Sequence, residues 1–464
     1  MKHLALSLLP LLLATGLNAA ELRVTADQQQ SVSLTIYNGG RALVRDRRAI
    51  PAVQPTNRIA FMDVAERIMP QTVAIEGVEV LEQNYDYDLL SPQALIDKNI
   101  GKRVRLARRS NDTGQTLEWA HGRILSNNGG LVLRMDDGSL ESLTGQDFYH
   151  LVFDDIPANL RTTPTLSLLL GESLNTTRQV EITYLSEGLS WHSDYILRLD
   201  EQGRQGHLDS WITLDNQSGT EYRDAQLQLL AGDVNLARPA MRMKMERAMV
   251  MADSMQADVG EQELHGYHLY TVPFKTTLRN RQSKQIKLFN RDAIKVEKSL
   301  HDRAYVELHG SEPHKSNPRM KLRFDNREPA LGLPLPKGVI RVYARDASGN
   351  NQFIGEDTIG HTALNDTVDI ELGRSFDVSV ERKTTGFVQR SQKQQLITRE
   401  IVINNGSQQA QTVELSEIMP TREWSIGKSS LAHEQQGPSE ALFKVSLSAQ
   451  QKLVVKYEAL LTYP

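Results

Sequence analysis

The sequence predicts a mainly β protein built of several antiparallel β-sandwich modules plus a small SH3-like barrel, with few short helices. Three observations carry that prediction. Apolar and polar residues alternate with period two in many short runs, turn-forming Gly, Asn and Asp separate these runs, and helical signals are confined to two segments. The chain has 464 residues, no Cys and a net charge of -4. That length suits several domains, and no disulfide can staple them.

The elements follow in order. Lys2 and His3 precede an apolar run over 4–13 and a small-residue exit at Asn18-Ala19-Ala20, the pattern of a secretory signal peptide over 1–20. The apolar run is about half the roughly twenty residues that a spanning helix needs, so no transmembrane segment is expected after cleavage. Cleavage would start the mature chain at Ala20 or Glu21, in the periplasm or outside the cell. Residues 21–100 read as a β-rich region, with Val32, Leu34 and Ile36 alternating before the turn Asn38-Gly39-Gly40. It closes on a short helix, where Ser91 caps the first amides, Pro92 suits the first helical position and Gly101 supplies a left-handed stop. Residues 101–157 read as the SH3-like barrel. Its runs 103–108, 117–125, 131–135 and 140–143 are joined by Asn127-Asn128-Gly129-Gly130 and Asp136-Asp137-Gly138, which favour tight hairpins.

Residues 158–372 then form a β-sandwich, seen in the alternation of Val180, Ile182 and Tyr184, of Ala225, Leu227 and Leu229, and of Val368, Ile370 and Leu372. A Met-rich helical insert is expected at 240–258, where helix formers abound without Gly or Pro. Residues 373–464 form a C-terminal sandwich, with inward sets Phe376, Val378, Val380; Phe443, Val445, Leu447; and Leu453, Val455, Tyr457. Net charge is near zero and basic residues are scattered among acidic ones, so no electrostatic footprint for nucleic acid or an anionic membrane surface, and no nucleic-acid partner, is expected. Sparse aromatics and the ending Tyr463-Pro464 argue against an outer-membrane barrel.

A run of separated motifs resembles a known family. Tyr184-Leu185-Ser186-Glu187-Gly188-Leu189-Ser190-Trp191 is followed by Asp194-Tyr195, Trp211, Asn216, Ser218-Gly219, Tyr222, Asp224-Ala225 and Leu230-Ala231-Gly232-Asp233-Val234. Further on come Leu333-Pro334-Leu335-Pro336-Lys337-Gly338-Val339-Ile340-Arg341-Val342-Tyr343, then Gly355-Glu356-Asp357, and Gly373 before Phe376-Asp377-Val378. This order is similar to the domain of unknown function 4139 family, and proteins called mucoidy inhibitor A-like carry a related domain. The segment Asn84-Tyr85-Asp86-Tyr87-Asp88-Leu89-Leu90-Ser91-Pro92 is similar to the region that accompanies it in secreted bacterial members. The resemblance implies a β fold and an extracytoplasmic life, and supplies no agreed catalytic set.

The residues offer three chemistries. Asp194, Asp224, Asp233, Glu356 and Asp357 lie in those motifs, and two of them facing each other across a cleft would suit glycoside hydrolysis, although Asp also caps turns readily. Trp191, Tyr195 and Trp211, with Tyr222, offer an aromatic platform for a ligand, although a buried sandwich core is the more common place for such residues. Met241, Met243, Met245, Met249, Met251 and Met255 make half of the twelve methionines. Thioethers suit Cu(I), whereas the spacing of four in Met241, Met245 and Met249, and in Met251 and Met255, suits one helix face docking on a partner.

Other motifs carry less. There is no Gly-x-Ser-x-Gly elbow, and His433-Glu434 lacks the second His of a zinc peptidase. His265 and His268 fall on opposite sides of an extended chain, and Gly39-Gly40 and Gly129-Gly130 are turns, so no metal site and no cofactor is expected. The leading reading is an exported, non-catalytic envelope protein that binds a protein partner or organises an assembly. The alternatives are a glycoside hydrolase using paired carboxylates and a copper-handling protein using the Met-rich segment.

Overall fold

The structure is a computed structural model that describes residues 21–51, 57–109, 113, 115–143, 149–157, 160–232, 260–264, 266–309 and 312–464. Strands dominate, and Pro92–Lys98 is the one α-helix among the described residues. The chain divides into two compact units that exchange segments. One holds Met1–Ser190, Asp215–Gln228 and Phe274–Gln282; the other holds Trp191–Leu214, Leu229–Pro273 and Ser283–Pro464.

In the first unit, one sheet has the order Leu22–Val24, Arg58–Met62, Thr165–Leu170, Val80–Asp86. A second includes, in order, Tyr222–Ala231, Gln29–Tyr37, Arg41–Ile50, Arg178–Glu187 and Ala74–Glu76. Register in the second sheet sets Leu34 opposite Val44 and Val44 opposite Tyr184, all buried, so the alternation read from 32, 34 and 36 does face the core. The helix begins as expected: Ser91 Oγ accepts the Ala94 amide at 3.1 Å, Pro92 opens the first turn, and Gly101 has φ of 82°.

Residues 103–152 form a five-stranded antiparallel sheet, in the order Leu140–Leu143, Leu131–Met135, Thr116–Ser126, Arg103–Arg109, Tyr149–Val152. Its apolar side gathers Val104, Leu106, Ile124, Leu131 and Leu133. Where the sequence predicts a small SH3-like barrel, the sheet does not close among the described residues, because its outer strands Leu140–Leu143 and Tyr149–Val152 each pair with one neighbour only. Hairpin signals fix local pairing, whereas closure depends on how edge strands meet, which turn residues do not encode.

In the second unit, a five-stranded sheet runs Gln282–Lys295, Gln205–Asn216, Leu189–Leu199, Gly338–Arg345, Asn351–Ile359. Leu189–Leu199 and Gly338–Arg345 pair in parallel, with Asp194 opposite Val339 and Ile196 opposite Arg341. A Cβ on Gly338 would lie 2.0 Å from the Ser193 carbonyl oxygen, which is why this motif position holds glycine. Two buried tyrosines hold the preceding Pro-rich motif: Tyr195 donates to the Pro336 carbonyl at 2.6 Å and Tyr270 to that of Pro334 at 3.2 Å.

The C-terminal sandwich faces a six-stranded sheet against a five-stranded one, with Leu300, Val380, Ile401, Val413, Phe443 and Tyr457 in its core. Glu297–Tyr305 pairs in parallel with Gln411–Ile418, so this sandwich also draws strands from before the expected border at 372/373. Strand neighbours distant in sequence leave no local mark at such a border. Phe376, expected inward with Val378 and Val380, stands just before its strand and is 96% exposed. The Met-rich helix expected at 240–258 lies outside the described residues.

Candidate functional site

The alternation that buries Trp191, Tyr195, Leu197, Leu208, Ile212, Ile340 and Val342 in the five-stranded sheet of the second unit sends their neighbours to its opposite face. That face carries a polar row with one residue from each strand. Gln285 Nε2 donates to Thr213 Oγ1 at 3.1 Å, and Thr213 Oγ1 donates to Asp194 Oδ2 at 2.5 Å. Arg341 donates through Nη1 to Asp194 Oδ1 at 2.9 Å and through Nε to Glu356 Oε2 at 3.1 Å. His192 Nε2 lies 3.4 Å from Asp194 Oδ2.

A second row centres on Asp209, which is ion-paired with Arg198, lies 3.2 Å from His207 Nε2 and lies 3.5 Å from Lys287 Nζ. The other ring nitrogen of His207 meets Asp292. An open cleft of about 640 Å³ continues from this row, lined by Arg198, Asp200, His207, Asp292 and Arg345 among others. Trp211, half-buried, sits between the rows by its position between Asp209 and Thr213. The rings of Tyr343 and Phe353 meet edge to face at 5.6 Å.

Burial alone would raise the Asp194 carboxyl, but hydrogen bonds from Thr213 and Arg341, with His192 nearby, outweigh it and hold the pKa below the usual carboxylate value. Asp209 is lowered in the same way, burial opposing and Arg198 and His207 prevailing. A glycosidase general acid needs the opposite direction. A depressed folded-state pKa contributes stability that is fully present above the unfolded value of about 3.9 and is lost as pH falls through the folded value. Asp194→Asn should therefore cost about 1–2 kcal/mol at pH 7 and progressively less below pH about 4, as read by urea unfolding across that range. A deficit independent of pH would contradict the ion-pair assignment.

The remaining expected residues are dispersed. Asp224, in the first unit, has φ of 46° at a register shift in its strand pairing, and its amide donates to Thr277 Oγ1 at 3.1 Å. Asp357 fastens strands, its Oδ1 accepting the Thr358 amide at 2.8 Å and its Oδ2 the Glu371 amide at 2.7 Å. Trp191 and Tyr195 are 2% and 0% exposed and lie in the core, so they form no platform with Trp211. Tyr222 is buried too, its hydroxyl donating to Ser218 Oγ at 3.1 Å. His433 packs between Trp424 and Phe443. Asp233, His265 and Met241, Met243, Met245, Met249, Met251 and Met255 lie outside the described residues. No cluster of three metal-ligating side chains occurs among the described residues, and no helix among them is long and apolar enough to cross a membrane.

Sequence reasoning found Asp194 and Glu356 but missed Arg341, Thr213, Asp209, Arg198 and His207. The available signal was parity: Arg341 alternates with Ile340 and Val342, and Asp209 and Thr213 share the parity of Trp211. The chain was compared with protein-family models and with curated proteins, and neither comparison gave a match.

Proposed function

We propose that this chain is an exported, non-catalytic protein of the bacterial envelope, periplasmic or released, that binds a protein partner or organises an assembly; the motif resemblance to domain of unknown function 4139 supports the extracytoplasmic part of this reading. The observation that carries this reading is the place of Arg341. Its guanidinium bridges Asp194 and Glu356, so these two acids brace a sheet face instead of facing each other across a substrate gap. The same face offers what a protein contact uses: fixed charge pairs for specificity, and Trp211 with Tyr343 and Phe353 for apolar contact.

The test is crosslinking of the tagged mature protein in its native envelope, read by mass spectrometry. The expected result is one stoichiometric protein partner whose crosslinks map to Gln205–Asn216 and Asn351–Ile359. Trp211→Ala should weaken that complex about thirtyfold. Deleting 240–258 separates the Met-rich segment from the sheet face as the contact. Release of glycan fragments by the parent protein, abolished in Asp194→Asn, would overturn the reading in favour of a hydrolase.

A further inference from the structure

The open five-stranded sheet over 103–152 has one apolar side and one outward side, and the outward side is charged in one sense. Register pairs Arg103 with Arg123, Arg123 with Arg134, and Arg134 with Leu140, which sets three arginines side by side on adjacent strands about 4.8 Å apart. The row beside it pairs His121 with Arg105 and Arg105 with Val152. The next pairs Trp119 with Ala107 and Ala107 with His150. Among the described residues no carboxylate occupies an outward strand position, and acids reach the face from its ends, where Asp136 pairs with Arg103 and Asp154 with Arg105. Arg123 and Arg134 form no ion pair among the described residues, although Arg123 Nη1 donates to the Gly101 carbonyl at 2.9 Å. Trp119 is 52% exposed, with the Arg105 guanidinium 5.4 Å from its ring centroid.

Like charges set directly opposite each other on neighbouring strands destabilise a sheet. Asp136 offsets that repulsion at Arg103, whereas no carboxylate among the described residues meets Arg123 or Arg134, and an external anion would. We infer that this face binds an acidic polysaccharide, its carboxylates taken by Arg123 and Arg134 and one sugar ring stacked on Trp119. Guanidinium groups match carboxylates in bidentate geometry, and an indole offers a flat apolar surface to a sugar. A single-stranded nucleic acid would use several rings to stack successive bases, whereas this face has one exposed indole. The inference rests on the non-catalytic reading only in treating the glycan as ligand rather than substrate.

The test is calorimetric titration of the full mature chain with a decamer of galacturonic acid, its methyl ester, and an oligothymidylate of equal charge. The acid decamer should bind with an affinity that falls with salt, and the ester should not bind. R123Q/R134Q should weaken binding at least about tenfold, and Trp119→Ala should weaken it similarly. Removing like charges should leave the Tm unchanged or raise it; should the double variant melt lower, Arg134→Gln alone takes its place. Failure of the decamer to bind, equal affinity in the arginine variant, or tighter binding of oligothymidylate would overturn the inference. Cleavage of a bound decamer would instead overturn the non-catalytic reading and leave the surface assignment standing.

Discussion

Replacing Arg382 with methionine should lower the stability of the C-terminal sandwich by about 3–5 kcal/mol. Arg382 is 2% exposed and spans the gap between the two sheets. From the five-stranded sheet its Nε donates to Glu417 Oε1 at 2.6 Å, and its Nη1 is paired with Asp302, both on the six-stranded sheet. Glu417, itself fully buried, also accepts the Tyr457 hydroxyl at 2.8 Å and lies 3.5 Å from Arg399 Nη2. Burial and the Glu417 charge push the Tyr457 phenol well above its usual value, which keeps it a donor. Methionine conserves much of the packing and removes the charge, so Asp302 and Glu417 would stay buried with one cation fewer. The loss should appear as earlier hydrogen exchange in Val378–Gln389 and Gln411–Ile418. A variant within about 0.5 kcal/mol of the parent would show that the cluster is incidental.

This cluster also marks where sequence reading stops. Period two located the strands because apolar residues recur on one parity, as at Val180, Ile182 and Tyr184, and the capping chemistry of Ser91, Pro92 and Gly101 located the helix. The same parity carries charge at a few places. Arg382 follows Val378 and Val380, Glu417 follows Val413 and Leu415, Arg399 stands between Ile397 and Ile401, and all are buried. A charged residue on apolar parity reads locally as a strand end. Only the opposite sheet, supplied from far along the chain, turns it into a paired core residue. The motif Asn216-Gln217-Ser218 shows a related limit. Asn216 Oδ1 accepts the Ser218 amide at 3.0 Å, and Asn405 accepts that of Ser407 at 3.1 Å, so one turn device serves two places. The candidate site was half legible for the same reason. Asp194 stood out, but its partner Arg341 is 147 residues away and arrives through parallel pairing, which no hairpin signal announces.

The buried arginine of the first unit should be as costly to remove, and its variants separate charge from packing. Ala42, Val44, Asp46, Arg48 and Ile50 share one buried parity of Arg41–Ile50, so Arg48 is committed to the core by its strand. Its Nη2 donates to Asp46 Oδ2 at 2.7 Å and its Nη1 to the carbonyls of Met62 at 2.7 Å and Val24 at 3.1 Å, both on the other sheet. The guanidinium lies 3.9 Å from the centroid of the Phe61 ring. Gln29 Nε2 donates to Asp46 Oδ1 at 2.8 Å and cannot neutralise it. Arg48→Met keeps the aliphatic stem but removes the guanidinium from Phe61, from the buried Asp46 carboxylate and from two carbonyls, which should cost about 3–5 kcal/mol. Arg48→Lys keeps the charge without the planar fork, so it should lose less, though still more than about 1 kcal/mol. Asp46→Asn combined with Arg48→Met removes both charges and should recover part of the single-variant loss, a coupling that a double-mutant cycle by urea unfolding measures directly. Additive losses across that cycle would mean that Arg48 acts through the Met62 and Val24 carbonyls and its guanidinium contact with Phe61 rather than through Asp46. Hydrogen exchange should place the damage in Leu22–Val24 and Arg58–Met62, because those strands lose the donor that fastens them to Arg41–Ile50.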